Sequence, residues 1–213
     1  MEILYLDEID STHKYLASKL KSNSIKSPFA LLAKRQTSGI GSRGDKWESF
    51  DGNFFLSISL DLDSLPKDLP KVSISIYFSM LMQMTLEELG SLVWLKWPND
   101  FYIGDKKAGG AIGTIIEKNV LFSIGLNLKK APLKFATIDI NIDPFELLQK
   151  YILKIKQDIF WKEIFIKYKI QFKKARAFSY YDQKLQKRVS LKDATLLEDA
   201  TIEIDKKRIL SLR

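Results

Sequence analysis

The sequence predicts an α+β protein, a mixed and largely antiparallel sheet with helices packed against it, followed by a small C-terminal β module. Three observations carry that expectation. Short runs of strand character recur at 3–9, 29–35, 54–60, 92–97, 101–103, 110–116 and 120–128, several of them close enough together to pair as hairpins. Between them, 69–89 is apolar on nearly every face, as a helix buried against a sheet must be. After Arg176 the texture changes to short alternating pieces, 201–205 and 208–212 among them, that read as a small sheet.

Taken in order, the strand at 3–9 leads into a short helix over 11–21 capped by Asp10 or Ser11, whose side-chain oxygens can accept from first-turn amides. A second strand follows at 29–35, then a glycine-rich loop over 37–46. In the strand at 54–60, Phe54, Leu56, Ile58 and Leu60 alternate with Phe55, Ser57 and Ser59, so its two faces differ in chemistry. The helix over 69–89 takes Asp68 as its cap and Pro70 in its first turn. Serines, Gln83, Thr85 and paired glutamates interrupt it, which argues against a membrane span. Met80, Met82 and Met84 read as core filling. The last two strands of the first group form a hairpin through Glu117, Lys118 and Asn119. Asp143, Pro144 and Glu146 then open a helix with an acid cap, a proline at its first position and a glutamate placed for a capping box. A helix over 159–174 completes a main body of residues 1–176. Residues 179–183 read as a turn, and 177–213 as a separate module.

Composition narrows the setting. The chain has 213 residues, 46% hydrophobic and 28% charged, as an ordinary globular protein does. With no cysteine it has no disulfide, thiolate nucleophile or cysteine zinc site, which fits a cytoplasmic location. With the single histidine His13 it has no multi-histidine metal centre, and His13 itself reads as a helix-surface or interface residue. The N-terminus lacks the pattern of a secretory signal. A net charge of +8 suits a phosphate-rich or acidic partner. The densest basic stretch, 167–176, interleaves Tyr168, Ile170 and Phe172 as a helix with one solvated face would, so charge alone supports no sequence-specific DNA surface.

Two motifs carry chemistry. Lys96-Trp97-Pro98-Asn99-Asp100 sets two rigid residues before two polar ones at a strand end, which suits a pocket rim. Soon after, Lys107 stands just before the pair Gly109-Gly110, offering a mobile point charge beside bare backbone to an anionic ligand. The loop Gly39-Ile40-Gly41-Ser42-Arg43-Gly44 fits the dinucleotide-binding spacing letter by letter, but it runs into a turn and a strand where that motif requires a helix. Such a loop can instead fold over phosphate, its glycine amides donating and Arg43 and Lys46 neutralising.

In order and spacing these stations resemble the biotin protein ligases, over about residues 5–128. Ser11-Thr12 resembles the pair bordering the biotin pocket. Gln36 and the stretch from Gly39 to Trp47 resemble the adenylate-binding loop, and Lys96 to Asp100 the family's most distinctive string. Lys107 to Gly110 resembles the segment with the catalytic lysine, and Ile124-Gly125-Leu126-Asn127 the strand near the nucleotide. The resemblance implies a class II synthetase-like biotin/lipoate ligase fold with an SH3-like C-terminal module. It implies that biotin and ATP form biotinoyl-AMP with Mg²⁺, and that biotin then passes to a lysine of the biotin carboxyl carrier protein of acetyl-CoA carboxylase. Lys107 and Arg43 would be catalytic. Ser11, Thr12, Gln36, Gly39, Trp47, Lys107 and Gly110 would hold biotin, and Gly41, Arg43, Lys46, Trp47, Asn99, Asp100 and Asn127 would hold ATP. Asp100 would also meet the metal.

The chain departs from the family pattern at several places. His13 stands where asparagine is usual, Ser123 where glycine is frequent, and Ile40, Ser42 and Asp45 where arginine is common. Ser42 in place of arginine predicts looser retention of the adenylate. The motifs start almost at Met1, so operator binding through an N-terminal winged helix is not expected, and a homodimer stays open. The alternatives are a lipoate or octanoate ligase of the same fold and a non-enzymatic biotin- or nucleic-acid-binding protein.

Overall fold

Strand β1 (Glu2–Ile9), helix α1 (Thr12–Lys21) and strand β2 (Phe29–Gln36) open the chain. The short pair β3 (Gly39–Ile40) and β4 (Lys46–Trp47) comes next, then β5 (Phe54–Asp61) and α2 (Ile74–Glu88). A meander of β6 (Trp94–Lys96), β7 (Asp100–Ile103), β8 (Lys106–Ile116) and β9 (Asn119–Leu126) leads to α3 (Pro144–Ile155) and α4 (Trp161–Ala175). This computed structural model describes residues 1–41, 46–182 and 186–210, with the backbone alone at Lys46.

Seven strands form one sheet in the order β1-β2-β5-β9-β8-β7-β6. β1 and β2 run parallel and every other neighbouring pair is antiparallel, so the sheet is mixed, as expected. Because successive side chains leave a strand on opposite sides, β2 separates two cores. Phe29 and Leu31 pack with Leu16 and Leu20 of α1, while Ala30 and Leu32 join the large cluster built on α2. Every residue of α2 from Ile74 to Leu86 is buried, the three methionines included. That helix fills the space between the sheet and the helices α3 and α4.

Caps decide where the helices begin. Asp143 accepts from the amides of Phe145 and Glu146, and Pro144 occupies the first position of α3, as the sequence indicates. Asp68 behaves otherwise. It does not cap α2, which starts only at Ile74 after a 3₁₀ turn at Lys71–Ser73; its carboxylate accepts from the amides of Trp161 and Lys162 and so caps α4. A carboxylate satisfies whichever free helix amides lie within reach, and here those belong to a helix some ninety residues away.

The C-terminal segment forms two small sheets, β10 (Ser179–Asp182) with β11 (Lys187–Ser190), and β12 (Thr195–Leu196), β13 (Ile202–Ile204) and β14 (Lys207–Ile209). Residues 179–182 are thus a strand where the sequence suggests a turn, since Tyr180 is buried against Trp97 with ring centroids 5.1 Å apart. Residues 183–185 and 211–213 lie outside the described residues. Two indoles fasten this segment to the body. Trp97 Nε1 donates to the carbonyl of Ala200 and Trp161 Nε1 to that of Glu198, each at 3.0 Å. Trp97 is fully buried and therefore a core residue, not part of a pocket rim.

Candidate active site

On the α1 face of the sheet, Ser57 of β5 and Ser123 of β9 sit directly opposite each other, flanked by Ser59 and Gly125. Small residues there leave room that large ones fill on the other face. Ser11 caps α1 from an extended backbone conformation, which places Ser11, Thr12 and His13 in the first helical turn above these serines. The Thr12 amide and hydroxyl both donate to Gln36 Oε1, at 2.9 and 3.1 Å. Ser57 Oγ donates to Thr12 Oγ1 at 2.9 Å and lies 2.7 Å from Ser123 Oγ, which lies 2.8 Å from His13 Nδ1. Ser11, Thr12, His13, Gln36 and Ser123 border a cavity of about 280 Å³, with Ser57 buried behind them.

Two strands across, β7 and β8 supply the charged side of the same cavity. Lys107 Nζ is 2.8 Å from Asp100 Oδ1, and Lys96 Nζ is 3.6 Å from Asp100 Oδ2. Residues 107 and 110 should face opposite ways on a regular strand, yet Lys107 and Gly110 both line the cavity. A bulge opposite Phe101 and Tyr102 resets the alternation, the usual device for re-aiming a side chain at a site. Burial lowers the Lys96 pKa and Lys107 adds to that effect, while Asp100 opposes both. The arrangement holds two ammonium groups around one carboxylate, so excess positive charge faces whatever enters.

Trp47 closes one side. Its indole packs against Gly125, where an added Cβ would sit 2.8 Å from the ring, so only glycine accepts this approach. Trp47 Nε1 is buried with no hydrogen-bond partner among the described residues, a donor for a ligand to meet. Beyond Trp47, a smaller recess of about 130 Å³ is lined by Glu48, Asn127, Pro132 and Phe135.

Of the residues singled out from sequence, Ser11, Thr12, Gln36, Gly41, Trp47, Asp100, Lys107 and Gly110 line the cavity. Gly39 lies behind it, where a side chain would press on Gln36 and Trp47. Asn127 reaches only the smaller recess, its amide donating to the carbonyl of Ala136. Asn99 is buried and donates to the carbonyl of Ala111, bracing β8 from outside the cavity. Ser42, Arg43, Asp45 and the Lys46 side chain lie outside the described residues. His13, read from sequence as a surface or interface residue, is half-buried and lines the cavity, with its pKa lowered by burial. Sequence reasoning left Ser57 and Ser123 out of the site. The serine-bearing face of 54–60 was the signal for Ser57 and the departure from glycine that for Ser123, but the register of 54–61 against 119–126 was not legible.

Asp100 is the one acid among the cavity-lining residues described, and both its oxygens face lysines. No group of three or more potential metal ligands occurs among the described residues. The described lining thus offers a metal one carboxylate, that of Asp100, the residue the sequence points to.

A ligand cavity laid on a mixed sheet, hydroxyl-rich at one end and cationic at the other, defines a class of small-molecule-binding α+β proteins. Within that class the chain belongs to the biotin/lipoate A/B protein ligase family, whose model matches residues 5–130. It is 32% identical over 133 residues to the bifunctional ligase/repressor BirA of Escherichia coli, covering 59% of this chain and 40% of that protein. The chain thus spans about two fifths of the curated relatives it matches. The fold is similar to that of the biotin acetyl coenzyme A carboxylase synthetase of Helicobacter pylori, solved with bound biotinylated ATP. That similarity has a TM-score of 0.93 at 39% identity and covers 98% of this chain and 99% of the other. A biotin protein ligase from Aquifex aeolicus, solved with biotin and ATP, shares the fold at TM-score 0.69 and 23% identity, over 99% of this chain and 96% of that one.

Proposed function

We propose that this protein is a biotin protein ligase that activates biotin with ATP and passes it to a lysine of a biotin carboxyl carrier protein. The observation that carries the reading is the cavity's two-ended chemistry. A bicyclic urea presents one carbonyl acceptor and two N–H donors, and Ser11, Thr12, Gln36 and Ser123 offer hydroxyls and an amide to match them. At the other end a carboxylate would meet Lys107. The dithiolane of lipoate and the chain of octanoate have no groups to satisfy such a polar wall, so the lipoate alternative is disfavoured.

In the first step a biotin carboxylate oxygen forms a bond to the α-phosphorus and the α–β bridging bond breaks, releasing pyrophosphate. Two anions approach each other only if cations neutralise them. Lys107 is placed to stabilise the charge that builds on both, Asp100 orients its ammonium, and Trp47 keeps water from the anhydride. Arg43 and Lys46 are proposed to close over the phosphates, and Asn127 to approach the nucleotide from the smaller recess. Magnesium is proposed to arrive with ATP as part of the substrate. In the second step the acceptor amine attacks the acyl carbon, the acyl–phosphate bond breaks, and AMP leaves as the amide forms and a proton is lost.

No helix among the described residues is long and apolar enough to cross a membrane. We assign the protein to the cytoplasm on the absence of cysteine. Residues 1–176 are taken as the catalytic body and 177–213 as the small β module. Pyrophosphate release measured with biotin, lipoate and octanoate in parallel tests the assignment: biotin should support release. Release with lipoate and none with biotin would overturn it.

A further inference from the structure

The hydrogens along the hydroxyl wall can be assigned one by one. The Thr12 amide is an unambiguous donor, so the Gln36 atom facing it must be the oxygen. That oxygen cannot donate, so the Thr12 hydroxyl spends its only hydrogen on it. Ser57 must then donate to Thr12. With that hydrogen spent, Ser57 can only accept from Ser123. Ser123 in turn has none left for His13, so the 2.8 Å contact requires a hydrogen on His13 Nδ1. The neutral ring is therefore the Nδ1–H tautomer, with Nε2 bare. All five groups point their hydrogens the same way; the backbone amide sets the direction at one end, and His13 completes the chain at the other.

We propose that Ser123 contacts the substrate through its hydroxyl oxygen, held as a hydrogen-bond acceptor by the positioning residue His13, so that this wall selects a ring bearing N–H donors. Ser123 lines the cavity and keeps a second lone pair free. Its hydrogen is committed away from the ligand, to Ser57. An N–H at that place meets an acceptor, whereas a carbonyl or a methylated nitrogen meets a lone pair or a clash. This rests on the biotin reading above, and it assigns one of the two urea nitrogens to a residue pair outside the set inferred from sequence.

His13 is the chain's single histidine, so its ring nitrogens can be read in the ¹⁵N-labelled full chain without further assignment. At a pH where the ring is neutral, Nδ1 should resonate as the protonated nitrogen and Nε2 as the bare one. In Ser123→Ala the signals should move toward the Nε2–H form that predominates in free imidazole side chains. Calorimetry should show Ser123→Ala weakening biotin by about five- to tenfold, one hydrogen bond's worth. It should also narrow the gap between biotin and biotin methylated on a ureido nitrogen. His13→Phe should weaken biotin severalfold while its unfolding midpoint stays near that of the parent, since the Ser123 hydroxyl is then held by its bond to Ser57 alone. An Nε2–H tautomer in the parent protein overturns the inference, and so does Ser123→Ala binding biotin as the parent does. A parent protein that binds no biotin overturns the proposed function itself, and the inference with it.

Discussion

The two faces of the central sheet are built from the same strands and do opposite things. On the α2 face β5 and β9 present Phe54, Leu56, Ile58, Phe122, Ile124 and Leu126, all buried in one cluster with Phe78, Met80 and Met82 among the helix residues. On the α1 face the intervening positions include Ser57, Ser59, Ser123 and Gly125, and a cavity remains. Large apolar side chains on one side supply the burial that stabilises the fold. Small polar ones on the other leave volume and unused hydrogen-bonding capacity, which is what a ligand needs. Stability and recognition are thus separated by the two-residue period of a strand, and substitutions on the two faces should have separable consequences.

The largest effect should come from the α2 face. Phe78→Ala removes a fully buried ring packed 5.1 Å from that of Phe122, and should cost about 3–5 kcal/mol in urea unfolding while leaving the biotin affinity of the folded fraction unchanged. A shift in affinity as large as the loss of stability would break the comparison.

On the α1 face, Lys107→Ala should lower pyrophosphate release by about a hundredfold or more with little change in unfolding midpoint, because Asp100 keeps Lys96 as a partner. Lys106→Ala, whose side chain is exposed, should do far less. Equal losses from the two would show that a general positive field, not a placed ammonium, drives the step.

Gly125→Ala should act through Trp47, because the new methyl would sit 2.8 Å from the indole. Biotin affinity should fall by roughly tenfold, the scale of one lost buried contact or hydrogen bond, and the tryptophan emission should shift as the ring is displaced. An unchanged spectrum together with unchanged affinity would mean that the β3–β4 hairpin yields freely and Trp47 does not form the wall.

The smallest effect concerns His13. Burial lowers its pKa below the ordinary value, so below that value the unfolded chain takes up a proton that the folded chain resists. Stability should therefore be complete above the ordinary histidine range and decline as pH falls through it, until the folded state is protonated too. Comparing urea midpoints of the parent and His13→Asn between pH 8 and roughly pH 5 isolates this difference from the carboxylates. A stability that rises on acidification in the parent alone would refute it.

Much of this was legible in the sequence, for reasons that differ by element. The alternation in 54–60 gave the strand and its two chemistries, the mostly apolar 69–89 gave a buried helix, and Asp143-Pro144 gave the start of α3. Those signals are local. The misassigned features are relations between distant segments. Asp68 caps α4, Trp97 is committed to Tyr180 and Ala200, and residues 179–182 become a strand through pairing with 187–190. At the site, Lys107, Ser11, Thr12 and Gln36 stood out by motif. His13 and Ser123 showed only as departures from the family pattern, because their partnership spans 110 positions and depends on how α1 packs on β9.

The indoles of Trp97 and Trp161 grip the C-terminal segment by its main-chain carbonyls. A carbonyl is the same whatever residue carries it, and the Glu198 side chain is exposed. Here the attachment is written in the tryptophans and not in what they hold. Kin of this protein should be free to drift at position 198 without loosening the tail, so resemblance in shape should outlive resemblance in spelling at that end of the molecule.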